Sequence, residues 1–256
     1  MMPQEQFVRF DGTRLWTCHA GQGVPLILGN GGPGCCDYLE PVAQLLDGAA
    51  RVIRFEARGC GRSDPAPEYT LQGCLDELEA IRRHYKIGRW IVAGHSAGAD
   101  LALLYALHYP QRTLGLICIA GGRVHNDREW HKAYQHGRDA GLEKPLDYAY
   151  PPNLEVNRQL NAAWKRYIQR PTLLRELAGL DRPALFLYGD RDIRPSWPVE
   201  QVANLLPNAR FVMIRGADHH LWLSHATEMA VILHNFVTEL DTPHPTASFD
   251  QSSTSW

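Results

Sequence analysis

Ile91-Val92-Ala93-Gly94-His95-Ser96-Ala97-Gly98 is the stretch whose reading decides the fold. A short apolar, β-branched run breaks at Gly-x-Ser-x-Gly and continues from Asp100 to His108 as a helix-forming segment. A strand that turns sharply into a helix pushes the residue at the turn into the open, which makes Ser96 a candidate nucleophile. Gly94 and Gly98 suit such a turn because it is too tight for side chains. The first turn of the helix that follows aims backbone N–H groups at any oxyanion formed there.

Working outward, strand-like and helix-like runs alternate. Val24 to Leu28, Arg51 to Glu56, Trp90 to Ala93, Leu114 to Ala120, Ala184 to Tyr188 and Arg210 to Ile214 are short and almost continuously apolar, as strands covered on both faces must be. Between them lie amphipathic stretches at Asp37 to Leu46, Leu71 to Tyr85, Asp100 to His108, Val199 to Leu206 and Thr227 to Leu240. In the second, Leu71, Leu75, Leu78, Ile81 and Tyr85 recur every three or four residues and form one apolar stripe. Phe7 to Phe10 and Arg14 to Cys18, joined by Asp11-Gly12-Thr13, read as an opening antiparallel hairpin. The pattern predicts an α/β chain with a mostly parallel, doubly wound sheet, and function at the carboxyl ends of its strands.

One connection is too long for a simple crossover. The 61 residues between Gly122 and Ala184 are rich in Trp, Tyr, His and Arg, with helix-like pieces near Asp127 to Gly137 and Leu154 to Leu177. They predict a helical lid at about 123–183, inserted into a single domain spanning 1–240. The aromatic residues Trp130, Tyr134, Tyr148, Tyr150, Trp164 and Tyr167 point to a fairly apolar small substrate beneath it, although aromatic residues in a lid more often pack it onto the body. Residues 241–256, polar and rich in Pro and Ser, read as a disordered tail.

A nucleophilic serine needs a base, and the base needs an orienting carboxylate. Gly189-Asp190-Arg191-Asp192 follows the strand after the lid, and Gly216-Ala217-Asp218-His219-His220 follows the last strand. Asp192 is preferred to Asp190 because it stands further past the strand, and His219 to His220 because it sits at the tip of its loop. Asp190, otherwise a capping residue or a partner of Arg191 or Arg194, and His220, otherwise a wall contact, remain the alternatives. His95 reads as space filling under the turn. The glycine-rich Asn30-Gly31-Gly32-Pro33-Gly34 follows the Val24 to Leu28 strand, so the backbone N–H groups of Gly32 and Ala97 are the candidate oxyanion donors.

Composition narrows the function classes. Lys plus Arg number 26 against 28 Asp plus Glu, for a net charge of −2, with no dense basic stretch to track a phosphate backbone. No apolar run reaches bilayer length, and Met1 to Gln6 lack the basic start and apolar middle of an export signal. The expectation is a cytoplasmic protein with a small-molecule or short-peptide substrate, no nucleic-acid or membrane partner, and no cofactor or metal; its oligomeric state is unassigned. The six cysteines, at 18, 35, 36, 60, 74 and 118, have no metal-ligand spacing and read as reduced thiols. Cys35 and Cys36 lie beside the glycine loop, and a functional thiol there is the alternative reading.

Gly31-Gly32-Pro33-Gly34, Arg58-Gly59-Cys60-Gly61-Arg62-Ser63, the Ser96 turn, Gly189-Asp190-Arg191-Asp192 and Gly216-Ala217-Asp218-His219 together resemble the successive motifs of the α/β-hydrolase superfamily. Within it the chain most resembles the proline iminopeptidase family. The resemblance implies an α/β-hydrolase fold with Ser96 as nucleophile, Asp192 as acid, His219 as base, and Gly32 with Ala97 as the oxyanion hole, in a serine hydrolase of ester-like or aminopeptidase-like specificity. It implies a structural part for Arg58 to Ser63. A cofactor-free carbon–carbon hydrolase or lyase, or a slow-turnover ligand-binding protein on the same fold, is the alternative. The chain departs from the iminopeptidase pattern where Asn30 replaces His and Ala97 replaces Trp. In the lid, Trp164 is followed by Lys165 where a glutamate would hold a free amino group. Glu129, Glu143, Glu155 and Glu176 are the lid carboxylates available as substitutes.

Overall fold

All six apolar runs are strands of one sheet, within two residues of the expected ends. The computed structural model describes residues 2–125 and 127–241, so the expected tail lies outside the described residues, apart from Asp241. In chain order the strands are β1 (Gln4–Phe10), β2 (Thr13–Ala20), β3 (Val24–Gly29), β4 (Ala50–Phe55), β5 (Trp90–His95), β6 (Thr113–Ile119), β7 (Ala184–Gly189) and β8 (Ala209–Ile214). The helices are α1 (Glu40–Gln44), α2 (Leu71–His84), α3 (Ala97–His108), α4 (Arg128–Asp139), α5 (Leu154–Tyr167), α6 (Leu173–Ala178), α7 (Trp197–Leu205) and α8 (Trp222–Asp241). Spatial order is β1-β2-β4-β3-β5-β6-β7-β8, with β1 and β2 antiparallel and β4 through β8 mutually parallel.

The sheet is covered on both faces. Leu75, Leu78 and Ile81 of α2 pack with Leu103 of α3 and Val202 of α7 on one side. Val42 of α1 packs with Met229, Leu233 and Phe236 of α8 on the other. Each such side chain, removed from water, contributes about 1.5–3 kcal/mol to folding. Coverage on both faces explains why β5 and β7 are buried at every position. The chain leaves β3 toward β4 on one side and later resumes from β5 toward β8 on the other. The crevice at the carboxyl ends of β3 and β5 is therefore the topological switch point, where α/β sheets bind their ligands.

Helix boundaries differ more from the sequence reading, α8 starting at Trp222 rather than Thr227, and three of the differences have a plain local reason. Helix α1 starts at Glu40 rather than Asp37, with Pro41 in its first turn, where a missing N–H costs nothing. Helix α3 starts at Ala97, because the turn is completed within Ser96 itself. The piece expected over Leu154 to Leu177 is two helices, α5 and α6, parted around Pro171, which cannot donate and turns the preceding residue away from the helical region. Between β6 and β7 the chain runs through α4, α5 and α6. Among the described residues no helix is long and apolar enough to cross a membrane.

Candidate active site

Ser96 stands between the last residue of β5 and the first of α3, at φ 55° and ψ −121°, a region that residues with a side chain rarely enter. Such a conformation costs about 1–3 kcal/mol and persists only where its surroundings enforce it. Here they do. Ser96 N–H donates to Ile119 O on β6 at 2.8 Å, and Ala99 N–H donates to Ser96 O at 2.9 Å. A Cβ on Gly94 would stand 2.2 Å from the Gly98 backbone, and one on Gly98 would stand 2.2 Å from Gly29 O. Both glycines are demanded by space, since neither has positive φ.

The glycine loop after β3 reaches the same point. A Cβ on Gly31 would stand 2.6 Å from Ser96 Cβ, so backbone approaches the serine directly. Gly32, at φ 62°, and Ala97, the first residue of α3, donate their N–H groups to no acceptor among the described residues, and both line the cleft that Ser96 lines. Asn30 Nδ2 braces the loop through Gly31 O and Cys35 O. The lid is stitched to it: Asn153 N–H donates to Gly34 O at 2.9 Å and Asn157 Nδ2 to Pro33 O at 3.0 Å.

Asp192 and His219 are brought together from the loops after β7 and β8. His219 Nδ1 lies 2.5 Å from Asp192 Oδ2, and both side chains are almost wholly buried. Since the carboxylate only accepts, Nδ1 carries the proton and Nε2 is the basic nitrogen. Burial, reinforced by the Arg194 charge, pulls the His219 imidazole well below its ordinary range. Burial pushes the Asp192 carboxyl up to about 6 against the opposing pull of Arg194. Arg194 grips the other carboxylate oxygen, its N–H at 2.9 Å and Nη1 at 3.2 Å from Oδ1, while Nη1 also reaches Glu143 Oε1 of the lid at 2.5 Å. Ligand-type atoms of Glu143, Asp192 and His219 lie within 4.8 Å of one another, but the guanidinium already supplies the positive charge between the two carboxylates. Ser96 Oγ and His219 Nε2 hydrogen-bond to nothing among the described residues, and so not to each other.

The alternatives fall elsewhere. Asp190 Oδ1 accepts Gly216 N–H at 2.6 Å, tying the β7 loop to the β8 loop rather than pairing with Arg191 or Arg194. The His220 ring packs against His95, His219 and Trp222. His95, read as a space filler, is instead a connector. Its Nε2 lies 3.0 Å from His219 O and its Nδ1 lies 2.7 Å from Tyr38 Oη, which accepts Gly31 N–H at 2.7 Å. A carbonyl can only accept, so Nε2 holds the proton and Nδ1 accepts from the phenol. Burial and the neighbouring His219 keep this ring neutral, as the chain of bonds requires. Tyr38 and His95 thus join the glycine loop to the His219 backbone; no spacing in the sequence announces them. The segment from Arg58 to Ser63 is structural: Arg62 pairs with buried Glu56 and Arg58 with buried Glu77. All six cysteines are free and buried, and burial pushes the Cys35 thiol up, away from a nucleophilic thiolate.

Two hollows meet at Ala97. One, of about 90 Å³, lies behind the glycine loop and is lined by Phe55, Leu101, Leu104, Val156 and Trp164. The other, of about 490 Å³, opens over Ser96 and is more polar than the aromatic content of the lid predicts. Of the six lid aromatics only Trp130 and Tyr134 line it, beside Arg123, Arg138, Lys165 and Arg194; Trp164 and Tyr167 stack on each other.

A family model described as alpha/beta hydrolase fold matches residues 24–150. A proline iminopeptidase from Saccharolobus solfataricus is 39% identical over 106 residues, covering 40% of this chain and 34% of that protein. The chain spans about a third of the length of the curated relatives it matches. The structure superposes on a thermophilic esterase from Thermogutta terrifontis with a TM-score of 0.74 at 22% identity, covering 93% of this chain and 100% of that one. On a proline iminopeptidase from Mycobacterium smegmatis the TM-score is 0.70 at 20% identity, with 93% and 99% covered. At those identities the superpositions speak for the fold. The sheet order, the strained turn after β5 and the matched family model agree: the chain has the α/β-hydrolase fold, and its sequence is similar to that of proline iminopeptidases.

Proposed function

We propose that the chain is a serine hydrolase that cleaves an ester or amide of a small molecule through an acyl-enzyme. The observation that carries this reading is Ser96, held in a strained turn beside two undonated N–H groups, at the same sheet end as the Asp192–His219 pair. Ser96 attacks the carbonyl carbon as His219 Nε2 takes its proton, and the Gly32 and Ala97 N–H groups receive the oxyanion. Collapse expels the leaving group with that proton. Water, deprotonated by the same nitrogen, then releases the acid and restores Ser96. Asp192 holds the imidazole in the tautomer this needs and balances its charge when protonated. The contact between Ser96 and His219 tightens as substrate fills the cleft.

Ester cleavage is favoured over aminopeptidase action by the lid carboxylates. Glu129 pairs with Lys132, Glu143 with Arg194, Glu155 with Arg158 and Glu176 with Arg170, and none of the four lines the cleft. A free amino group would meet cations there. A fluorophosphonate probe is expected to label Ser96, mapped by mass spectrometry. Neutral 4-nitrophenyl esters are expected to turn over where alanyl and prolyl naphthylamides do not. No adduct on Ser96 removes the proposal, and efficient naphthylamide cleavage reverses the preference.

The same site sets a pH dependence. His219 acts as base only when neutral and Asp192 only when ionised. The histidine is held below its ordinary range and the carboxyl titrates at about 6. Activity is therefore retained through neutrality and lost as pH falls, with the acid limb of kcat/KM centred near pH 6 or below. A midpoint clearly above 6.5, the ordinary histidine value, would contradict the burial argument.

A further inference from the structure

Resting on the hydrolase reading, we propose that the cleft over Ser96 takes substrates bearing a carboxylate several bonds from the scissile ester, held by Arg123, Arg138 and Lys165. The three cations and Ser96 line one hollow, and Asp100 is the single carboxylate among its described lining residues. Arg138 and Lys165 have no carboxylate partner among the described residues. No lid glutamate reaches into the hollow to neutralise them, because each of the four named above is committed to its own arginine or lysine. Arg194, also in the lining, is neutralised by Asp192 and Glu143 and is not available. Arg123 lies over the Trp130 ring at 4.0 Å and donates to His125 O, which fixes the plane of its guanidinium at the wall.

Like charges gathered in one hollow repel, and the arrangement is relieved by an anion between them. The effect registers on a bystander: burial together with the Arg123 and Lys165 charges holds the His131 imidazole below its ordinary range. A carboxylate is the ligand that fits, because it accepts from a guanidinium fork and from an ammonium without demanding that either be desolvated completely. Asp100 offsets only Arg123, whose charge opposes the burial that pushes the Asp100 carboxyl up to about 6, and it also accepts Gly122 N–H at 2.8 Å; Arg138 and Lys165 are left without a counter-charge from it.

The test compares mono-4-nitrophenyl adipate with 4-nitrophenyl hexanoate, which match in chain length and leaving group and differ in the terminal carboxylate. The expected kcat/KM ratio favours the adipate ester by roughly tenfold or more, the scale of a hydrogen bond to a charged group. That ratio is expected to fall severalfold in Lys165→Gln and in Arg138→Gln, and to shrink as salt rises from 50 mM to 500 mM, because both side chains are exposed. Competition by adipate but not by adipamide gives the same answer without turnover. A ratio within twofold of one in the unsubstituted protein, or one that both variants leave unchanged, overturns the proposal. If Ser96→Ala hydrolyses the hexanoate ester as well as the parent, the hydrolase reading fails by itself, and calorimetry with adipate still decides whether the cations bind a carboxylate.

Discussion

Replacing Ser96 with alanine is expected to lower kcat for ester hydrolysis by roughly 10⁴- to 10⁶-fold with the fold intact. Replacing it with glycine is expected to abolish activity to the same degree while making the protein more stable. The two substitutions separate chemistry from backbone strain. Both delete the hydroxyl, so neither forms an acyl-enzyme, and what survives is attack by water on a carbonyl whose developing oxyanion the Gly32 and Ala97 N–H groups would stabilise. Alanine keeps a Cβ at φ 55° and ψ −121°, so the strain of the turn remains. Glycine relieves it. The release of about 1–3 kcal/mol is offset by about 0.5–1 kcal/mol of extra chain entropy lost on folding. A net gain near 1 kcal/mol raises Tm by about 2–4 °C for a chain of this size, readable by calorimetry beside the alanine variant. Activity in Ser96→Ala equal to the parent ends the case for a serine nucleophile, and a Ser96→Gly protein less stable than Ser96→Ala ends the case for stored strain.

The parts of the molecule that were legible in advance are those fixed by local burial. Runs such as Ala184 to Tyr188 are apolar throughout because both faces of the sheet are covered, and a strand so marked also marks where its loop begins. Ser96, Asp192 and His219 could be placed on paper for that reason: each follows an apolar run by a few residues. What could not be read are partners that meet only after folding. Arg194 lies two residues from Asp192, yet its bond to Glu143 closes a gap of 51 residues, and the Tyr38–His95 bond closes one of 57. No periodicity encodes such contacts, because hydrogen-bonding side chains need to meet only once. The lid stays ambiguous on paper for a related reason. Its aromatic residues suggest an apolar ceiling, but tryptophan and tyrosine also pack a lid onto its body. Which of the two they do depends on neighbours met only after folding: Trp130 and Tyr134 line the cleft, whereas Trp164 and Tyr167 stack on each other.

Asp192→Asn is expected to reduce kcat by roughly 10⁴-fold at neutral pH, although the amide is nearly isosteric with the carboxylate. Arg194 makes the outcome predictable. It presents two donors, its N–H and Nη1, to the Oδ1 position of residue 192, and donors must face an acceptor. The asparagine carbonyl oxygen is therefore drawn to Arg194, and its NH₂ is turned toward His219 Nδ1, where the carboxylate oxygen stood at 2.5 Å. An amide N–H facing Nδ1 requires that nitrogen to accept, so the ring proton moves to Nε2 and the imidazole can no longer take a proton from Ser96. The fold should survive, because Glu143 still balances the Arg194 charge. Two comparisons keep the prediction sharp. Asp190→Asn leaves a carbonyl able to accept Gly216 N–H, so it is expected to cost less than tenfold in kcat. In Asp192→Asn the hexanoate and adipate esters should lose rate equally, since the cations that read the distant carboxylate are untouched. A deeper loss in Asp190→Asn than in Asp192→Asn would move the acid to position 190. The two side chains already point to different partners, Gly216 and His219, and only the second of these is a base.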